Sequence, residues 1–155
     1  MGDAYASPEL VSPDMYRRFA LPAEQQVVKN VADLNKPYSI HICGNTTGII
    51  EDMGTAGSKI LEVDWKLDMG YARSKVKEDI VLMGNLNPSD PMCIGTPEKV
   101  REQAEAVIRS TKGKGIILSS GCALGANTKP ENMEALVASA KEFGSYEQIA
   151  ALQEK

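Results

Sequence analysis

The chain has 155 residues, of which 43% are hydrophobic and 25% are charged, which is the composition of a globular protein with one domain and one core. Its net charge is −4 and it has no block of basic residues, so we expect no nucleic acid as a partner. No apolar stretch approaches the roughly 20 residues that cross a bilayer, and residues 1–10 lack the pattern of a signal peptide, so we expect no membrane association.

The predicted elements alternate between helices and short apolar strands. Ser12 and Pro13 begin a first helix, which Pro22 interrupts before it resumes. Apolar runs predict buried strands over residues 38–42, 59–63, 80–84 and 115–119. Two short helices are predicted after the first and second strands, over about residues 48–56 and 69–77. A longer helix is predicted from Thr96 and Pro97 to Gly113. Two more are predicted after the fourth strand, one from a capping box of Thr128 and Glu131 to Gly144 and one that begins at a capping box of Ser145 and Gln148.

Strands that alternate with helices predict an α/β fold with a parallel sheet and right-handed crossovers. The chain has no linker, no low-complexity tract and no repeat at the level of residues. Residues 1–155 are therefore predicted to form a single domain.

The first predicted strand carries the only histidine of the chain, His41, two residues before Cys43 in the segment SIHICGN. Side chains alternate along a strand, so His41 and Cys43 share one face while Ile40 and Ile42 share the other. Cys43 stands at the carboxyl end of this strand, where parallel α/β folds place their sites. Cys122 follows the fourth predicted strand, so we expect it at the same rim.

One imidazole and two thiols make a soft set of three ligands suited to zinc, and three protein ligands leave a fourth position open for water or substrate. The alternative is that His41 is an ordinary polar residue beside a buried thiol. Three cysteines at wide spacing do not make a disulfide framework, so we expect a reducing, cytoplasmic setting. Cys93 is predicted to be a small buried hydrophobe.

Three other polar residues close to the strand ends are candidates for the site. Asp64, the candidate catalytic residue, is predicted to orient His41 or to fill the open zinc position, and is otherwise a turn residue. Asn85 is a candidate for substrate binding and otherwise a turn former. Asn45 caps the short helix, and its exposed amide is a second candidate for substrate binding.

From about Tyr5 to Gly144 the chain resembles the uroporphyrinogen decarboxylase superfamily, most specifically in the segments HICGN and SSGCALG. Within it, the match is similar to the branch of zinc-dependent methylcobamide:coenzyme M methyltransferases and related corrinoid methyltransferases. The resemblance implies that His41, Cys43 and Cys122 are zinc ligands. It also implies that a methyl group passes from a methylated corrinoid on a partner protein to a small-molecule thiol such as coenzyme M.

The resemblance further implies a (β/α)₈ barrel, a fold that takes about 250 residues. The four predicted strands look like the second half of this barrel, because the segment GDAYASPELVSP follows the fourth strand in the family. We therefore expect an incomplete methyltransferase, without the residues that the first half supplies. Open sheet edges are templates for association, so we also expect a homodimer.

Two other functions stay open. One is decarboxylation of a porphyrinogen, although the decarboxylases of the family use no metal, typically have histidine where Cys122 stands, and lack the H-x-C pattern. The other is a catalytically silent half-barrel that binds zinc.

Overall fold

Four parallel strands form one sheet, and their spatial order follows their order in the chain. In the computed structural model, which describes residues 1–154, the strands are β1 (Ser39–Ile42), β2 (Ile60–Val63), β3 (Val81–Leu86) and β4 (Ile116–Ser120). Each strand begins one residue after its predicted start. The predicted α/β fold with a parallel sheet is therefore confirmed.

Helices connect the strands and cover the sheet. They are α1 (Pro13–Met15), α2 (Leu21–Ala32), α3 (Ile50–Met53), α4 (Met69–Lys75), α5 (Pro97–Ser110), α6 (Pro130–Phe143) and α7 (Tyr146–Gln153). Asp68, Thr96 and Ser145 begin α4, α5 and α7 with side chains that accept a hydrogen bond from a backbone N–H of the first turn, as N-cap residues do. Across residues 1–154, the structure contains no helix with the length and apolar character of a membrane span.

The predicted capping box at the start of α6 is wrong. The N-cap of α6 is Lys129, whose side chain makes no capping hydrogen bond. Thr128 instead donates its hydroxyl to the Gly125 carbonyl at 2.7 Å, within the loop before the helix. A threonine hydroxyl serves a local turn as well as a helix cap, so the sequence pattern predicted the helix but not its first residue.

The first helix changes pitch rather than stopping at Pro22. After α1, a π-helical turn over Tyr16–Ala20 leads directly into α2, which contains Pro22 in its first turn. Proline has no N–H to donate within a helix, and the first turn of a new helical segment tolerates this loss. The predicted interruption is thus a short widened turn.

The two faces of the sheet differ in burial. One face carries aliphatic side chains that pack in a single core with helix residues such as Val100 and Ala104. The sheet residues of this core are Ile40, Ile42, Leu61, Val63, Leu82 and Leu86. The opposite face is half-buried and mixed in chemistry, with Ser39, His41, Ile60, Glu62, Val81 and Met83. The hydrophobic core therefore lies on one side of the sheet, and the candidate ligand His41 lies on the other.

The first three residues run beside β1 and parallel to it. The His41 N–H donates to the Met1 carbonyl at 2.8 Å, and the Asp3 N–H donates to the His41 carbonyl at 2.8 Å. The edge of β1 next to His41 is therefore occupied, where we expected it to be open. Within residues 1–154, β4 pairs only with β3, so its outer edge is open as expected.

A buried tyrosine and glutamate link the π-helical turn to α2. The Tyr16 hydroxyl donates to Glu24 Oε2 at 2.7 Å, and the two residues are 0% and 1% exposed. Glu24 Oε1 has no hydrogen-bond partner among the described residues. Burial raises the pKa of Glu24, and the hydrogen bond from Tyr16 opposes this rise. The Glu24 carboxyl group is therefore harder to ionise in the folded chain than in the unfolded chain.

Glu24→Gln is expected to gain stability relative to the parent protein as the pH rises. The raised pKa of Glu24 stabilises the parent fully below the unfolded-state pKa, and this stabilisation is lost as the pH rises through the folded-state pKa. The variant has no carboxyl group at this position, so its free energy of unfolding does not fall with pH for this reason. Urea unfolding between pH 4 and pH 8 measures the difference, with the exposed Glu147→Gln as a control. A difference between variant and parent that stays constant over this range contradicts the expectation.

Candidate metal centre

The structure brings together the imidazole and the two thiols that the sequence predicted as ligands. Cys43 Sγ lies 3.3 Å from His41 Nε2 and 3.8 Å from Cys122 Sγ. The three ligand atoms all lie within 4.8 Å of one another, and all three residues are half-buried. His41 comes from β1, Cys43 directly follows β1, and Cys122 lies two residues after the end of β4.

A hydrogen bond to β2 sets the orientation of the His41 ring. His41 Nδ1 lies 3.1 Å from the carbonyl oxygen of Glu62. A carbonyl oxygen only accepts hydrogen bonds, so Nδ1 carries the proton in this contact. The neutral imidazole then presents the lone pair of Nε2 to the thiols, as a metal-binding histidine requires.

The environment of the Cys43 thiol favours its protonated form when no metal is present. Burial raises the pKa of the Cys43 thiol, and the hydrogen bond with Cys122, the charge of Cys122 and the charge of Asp64 raise it further. A metal ion that binds here must therefore displace a thiol proton, which makes binding stronger as the pH rises.

Asp64 holds the turn that follows Cys43. Its Oδ2 accepts a hydrogen bond from the Gly44 N–H at 2.8 Å, and its Oδ1 accepts one from the Lys66 N–H at 2.9 Å. Gly44 has a φ of 87°, and a Cβ at this position would lie 2.8 Å from Glu9 Cδ. The buried Asp64 carboxylate thus fixes a backbone conformation that favours glycine. The predicted roles of Asp64, to orient His41 or to fill the open zinc position, stay predictions.

Gly121 positions Cys122, a role that was not among the predicted ones. The Gly121 N–H donates to the Leu86 carbonyl at 2.7 Å, and a Cβ on Gly121 would clash with the backbone of Trp65. The close approach of two backbones explains why a glycine precedes Cys122 in SSGC. The sequence did contain an indication of this contact, because a glycine in or beside a strand often marks the close approach of another backbone.

Of the two asparagines predicted to bind substrate, Asn45 lies in the loop after β1 and Asn85 lies within β3. Asn45 is exposed, and its Oδ1 accepts from the Thr47 N–H at 3.1 Å. Asn85 is only 5% exposed, and its Nδ2 donates to the carbonyls of Asp64 at 3.1 Å and Leu67 at 2.6 Å. Asn85 therefore ties the loop after β2 to β3, and neither contact involves the cluster.

An open cleft of about 410 Å³ adjoins the cluster on the half-buried face of the sheet. Its lining is Met1, Gly2, His41, Glu62, Met83, Ser119, Ser120, Gly121, Cys122 and Ala123. Two of the three candidate ligands thus border a cavity with room for a small molecule.

Parallel strands joined by helices, with polar side chains gathered at the carboxyl ends of the strands, are the arrangement at the site face of a (β/α)₈ barrel. The chain belongs to the uroporphyrinogen decarboxylase (URO-D) family, whose model matches residues 1–143. Its sheet and helices match part of the barrel of this family.

Relatives of two kinds are similar in sequence. The chain is 33% identical over 141 residues to the methylcobamide:CoM methyltransferase MtbA of Methanosarcina acetivorans, covering 91% of this chain and 40% of that protein. It is also 33% identical over 137 residues to the uroporphyrinogen decarboxylase of Trichodesmium erythraeum, covering 87% of this chain and 38% of that protein. A solved methyltransferase from Methanosarcina mazei superposes with a TM-score of 0.84 at 31% identity, over 94% of this chain and 42% of that one. The chain therefore spans about two-fifths of the length of these relatives.

Asp64→Asn is expected to lower the free energy of unfolding by about 1–3 kcal/mol. The amide keeps one acceptor oxygen, so either the Gly44 N–H or the Lys66 N–H loses its acceptor and faces an NH₂ group. Chemical unfolding measures the loss. The matched control is Asp33→Asn, whose exposed ion pair with Lys29 contributes little. Equal effects of the two substitutions contradict the proposed role of Asp64 in the turn.

Proposed function

We propose that this chain carries the metal centre of a zinc-dependent methyltransferase, as one domain that forms half of a barrel. The methyl group would pass from a methylated corrinoid protein to a small-molecule thiol such as coenzyme M. The observation that carries the proposal is the convergence of the His41, Cys43 and Cys122 ligand atoms within 4.8 Å. Similarity to a methylcobamide:CoM methyltransferase supports the corrinoid protein and the thiol as partners.

The spacing of the two sulfur atoms fits zinc. Zinc binds cysteine sulfur at about 2.3 Å in tetrahedral geometry, which places two sulfur ligands about 3.8 Å apart. The observed distance between Cys43 Sγ and Cys122 Sγ is 3.8 Å. Two thiolates and one imidazole are also a donor set that selects zinc over magnesium or calcium. The three residues therefore suit a zinc ion with one position left for an exogenous ligand.

The chain's own residues would hold and present this site. When bound, zinc would supply a Lewis acid that keeps the acceptor thiol as a thiolate near neutral pH. The Glu62 carbonyl holds the His41 ring by its Nδ1 proton, and Asp64 holds the turn after Cys43. The cleft beside His41 and Cys122 would admit the thiol.

The proposed reaction is a transfer of a methyl group between two substrates. A bond would form between the thiol sulfur and the methyl carbon while the bond between that carbon and the corrinoid cobalt would break. The electron pair of the broken bond would stay on the corrinoid, and the thiol proton would pass to solvent. Free thiols are required throughout, so a reducing, cytoplasmic setting is part of the proposal.

Decarboxylation is the second candidate, because a uroporphyrinogen decarboxylase is as similar to this chain as the methyltransferase MtbA, at 33% identity. The decarboxylases of the family use no metal. A cluster of three candidate metal ligands, His41, Cys43 and Cys122, therefore favours the methyltransferase. Formation of coproporphyrinogen from uroporphyrinogen, followed by fluorescence after oxidation, tests this candidate directly.

The chain is expected to bind about one zinc ion. The variant Cys122→Ala is expected to lose this ion, because the substitution removes one of the three protein ligands. Zinc content after dialysis, measured by mass spectrometry of the metal, is the readout. Cys93→Ala is the matched control, since Cys93 is half-buried like Cys122 but lies outside the cluster. Stoichiometric zinc in the Cys122 variant would contradict the ligand assignment.

Thiol binding is expected to depend on zinc. A thiol that occupies the open position should bind the zinc-loaded chain measurably and the metal-free chain at least about tenfold more weakly. Isothermal titration calorimetry with 2-mercaptoethanol makes the comparison. Equal affinities support the third possibility, a half-barrel that binds zinc but is catalytically silent.

The homodimer stays a prediction, and its structural basis is the open edge of β4. Edge-to-edge association through β4 should appear as twice the monomer mass, given a chain of 16.7 kDa. Sedimentation equilibrium at micromolar concentration measures the mass. The variant Ile117→Lys, at a residue that is 44% exposed on this strand, is expected to weaken the association. A monomer at all concentrations contradicts it.

A further inference from the structure

Glu62 is a charged side chain beside the candidate ligands, and the proposed transfer gives its carboxylate no role. It stands opposite His41 in the parallel register of β1 and β2. Both side chains lie on the half-buried face and line the cleft. Neighbouring strands are about 4.8 Å apart, so the carboxylate lies next to the ligand cluster rather than across the cavity from it.

Ser39 anchors one oxygen of this carboxylate and leaves the other available. The Ser39 hydroxyl donates a hydrogen bond to Glu62 Oε1. Among the hydrogen bonds of the described residues, none involves Glu62 Oε2. An ionised carboxylate accepts several hydrogen bonds, and a half-buried one is stabilised by a further donor with positive charge. The pair of Ser39 and Glu62 is thus a positioned acceptor for a cationic group.

The rest of the cleft lining provides no side-chain cation in residues 1–154. Ser119 and Ser120 are its other polar side chains apart from those of the cluster and Glu62. The Met1 ammonium group is a cation on this lining, and its hydrogen bond to the Ser39 carbonyl at 2.7 Å already pairs it with a backbone oxygen. A thiol that carries a sulfonate or carboxylate would meet the like charge of Glu62, whereas a thiol that carries an ammonium group would meet an opposite charge.

We propose that the acceptor of this site is an amino thiol, bound by its sulfur at the centre of His41, Cys43 and Cys122 and by its ammonium group at Glu62. This inference rests on the proposed function and narrows its substrate class. Coenzyme M, the example of this thiol class that the relative's name gives, is anionic and is expected to bind more weakly than an amino thiol. The ammonium donates to Glu62 Oε2 while Ser39 holds Oε1, so recognition needs no movement of the carboxylate.

Three small thiols with different charges test the proposal. Calorimetric titration of the zinc-loaded chain with 2-aminoethanethiol, 2-mercaptoethanol and 2-mercaptoethanesulfonate gives three affinities. The aminothiol is expected to bind most tightly and the sulfonate most weakly. Glu62→Gln should lower the ratio of aminothiol to sulfonate affinity by about tenfold, the effect of one charged hydrogen bond. Comparing ratios removes the intrinsic difference in thiol acidity among the probes.

Glu134→Gln is the matched control, because it removes one negative charge from an exposed position on α6 and is expected to leave the ratio unchanged. Zinc content and circular dichroism confirm that the Glu62 variant is folded and loaded, and the amide still accepts from Ser39. The inference is overturned if the affinity ratio is unchanged in this variant, or if the parent chain binds the sulfonate more tightly than the aminothiol. Either result leaves the proposed function standing. Failure of the parent to load zinc overturns both.

Discussion

The alternation of side chains along β1 is the constraint on which the candidate site depends. Ile40 and Ile42 are 0% exposed, and together they tie one face of the strand to the core. Burial of large aliphatic side chains is worth about 2–5 kcal/mol each against truncation. A slip of one residue would expose both isoleucines and bury His41, so it is strongly disfavoured. The hydrophobic effect on one face therefore orients the imidazole on the other.

The curvature of the sheet supplies the third ligand. β1 and β4 are the two outer strands, with β2 and β3 between them, and in a flat sheet their axes would lie about 14 Å apart. Cys43 and Cys122 nevertheless bring their sulfur atoms to 3.8 Å. The sheet must curl as in a barrel, and the loop after β4 must fold back over the strand ends. Gly121 permits this return, because its backbone lies against that of Trp65 where a side chain would not fit.

Periodicity predicted most of the fold, and the types of residue at the strand ends predicted the cluster. The four apolar runs became strands because buried parallel strands read as continuous aliphatic segments. The hydrogen-bond partners were not predictable in the same way. A carboxylate after a strand has the same pattern whether it binds a metal or, as Asp64 does, two backbone N–H groups. The Thr128 hydroxyl similarly has two local partners to choose between, a backbone N–H of the helix and the Gly125 carbonyl, and only the three-dimensional path of the loop decides. The pairing of Ser39 with Glu62 required the register of two strands, which no single segment encodes.

Glu62 joins two functions that are physically separable. Its backbone carbonyl orients the His41 ring, and this contact survives any substitution of the side chain. Its carboxylate, held by Ser39, contributes only charge and a hydrogen-bond acceptor to the cleft. A polar pair on a half-buried face stabilises the fold less than two aliphatic side chains would, since burying polar groups costs desolvation. The charge at residue 62 is therefore better explained by a ligand than by packing, and changes there should alter selectivity for the thiol without altering the affinity for the metal.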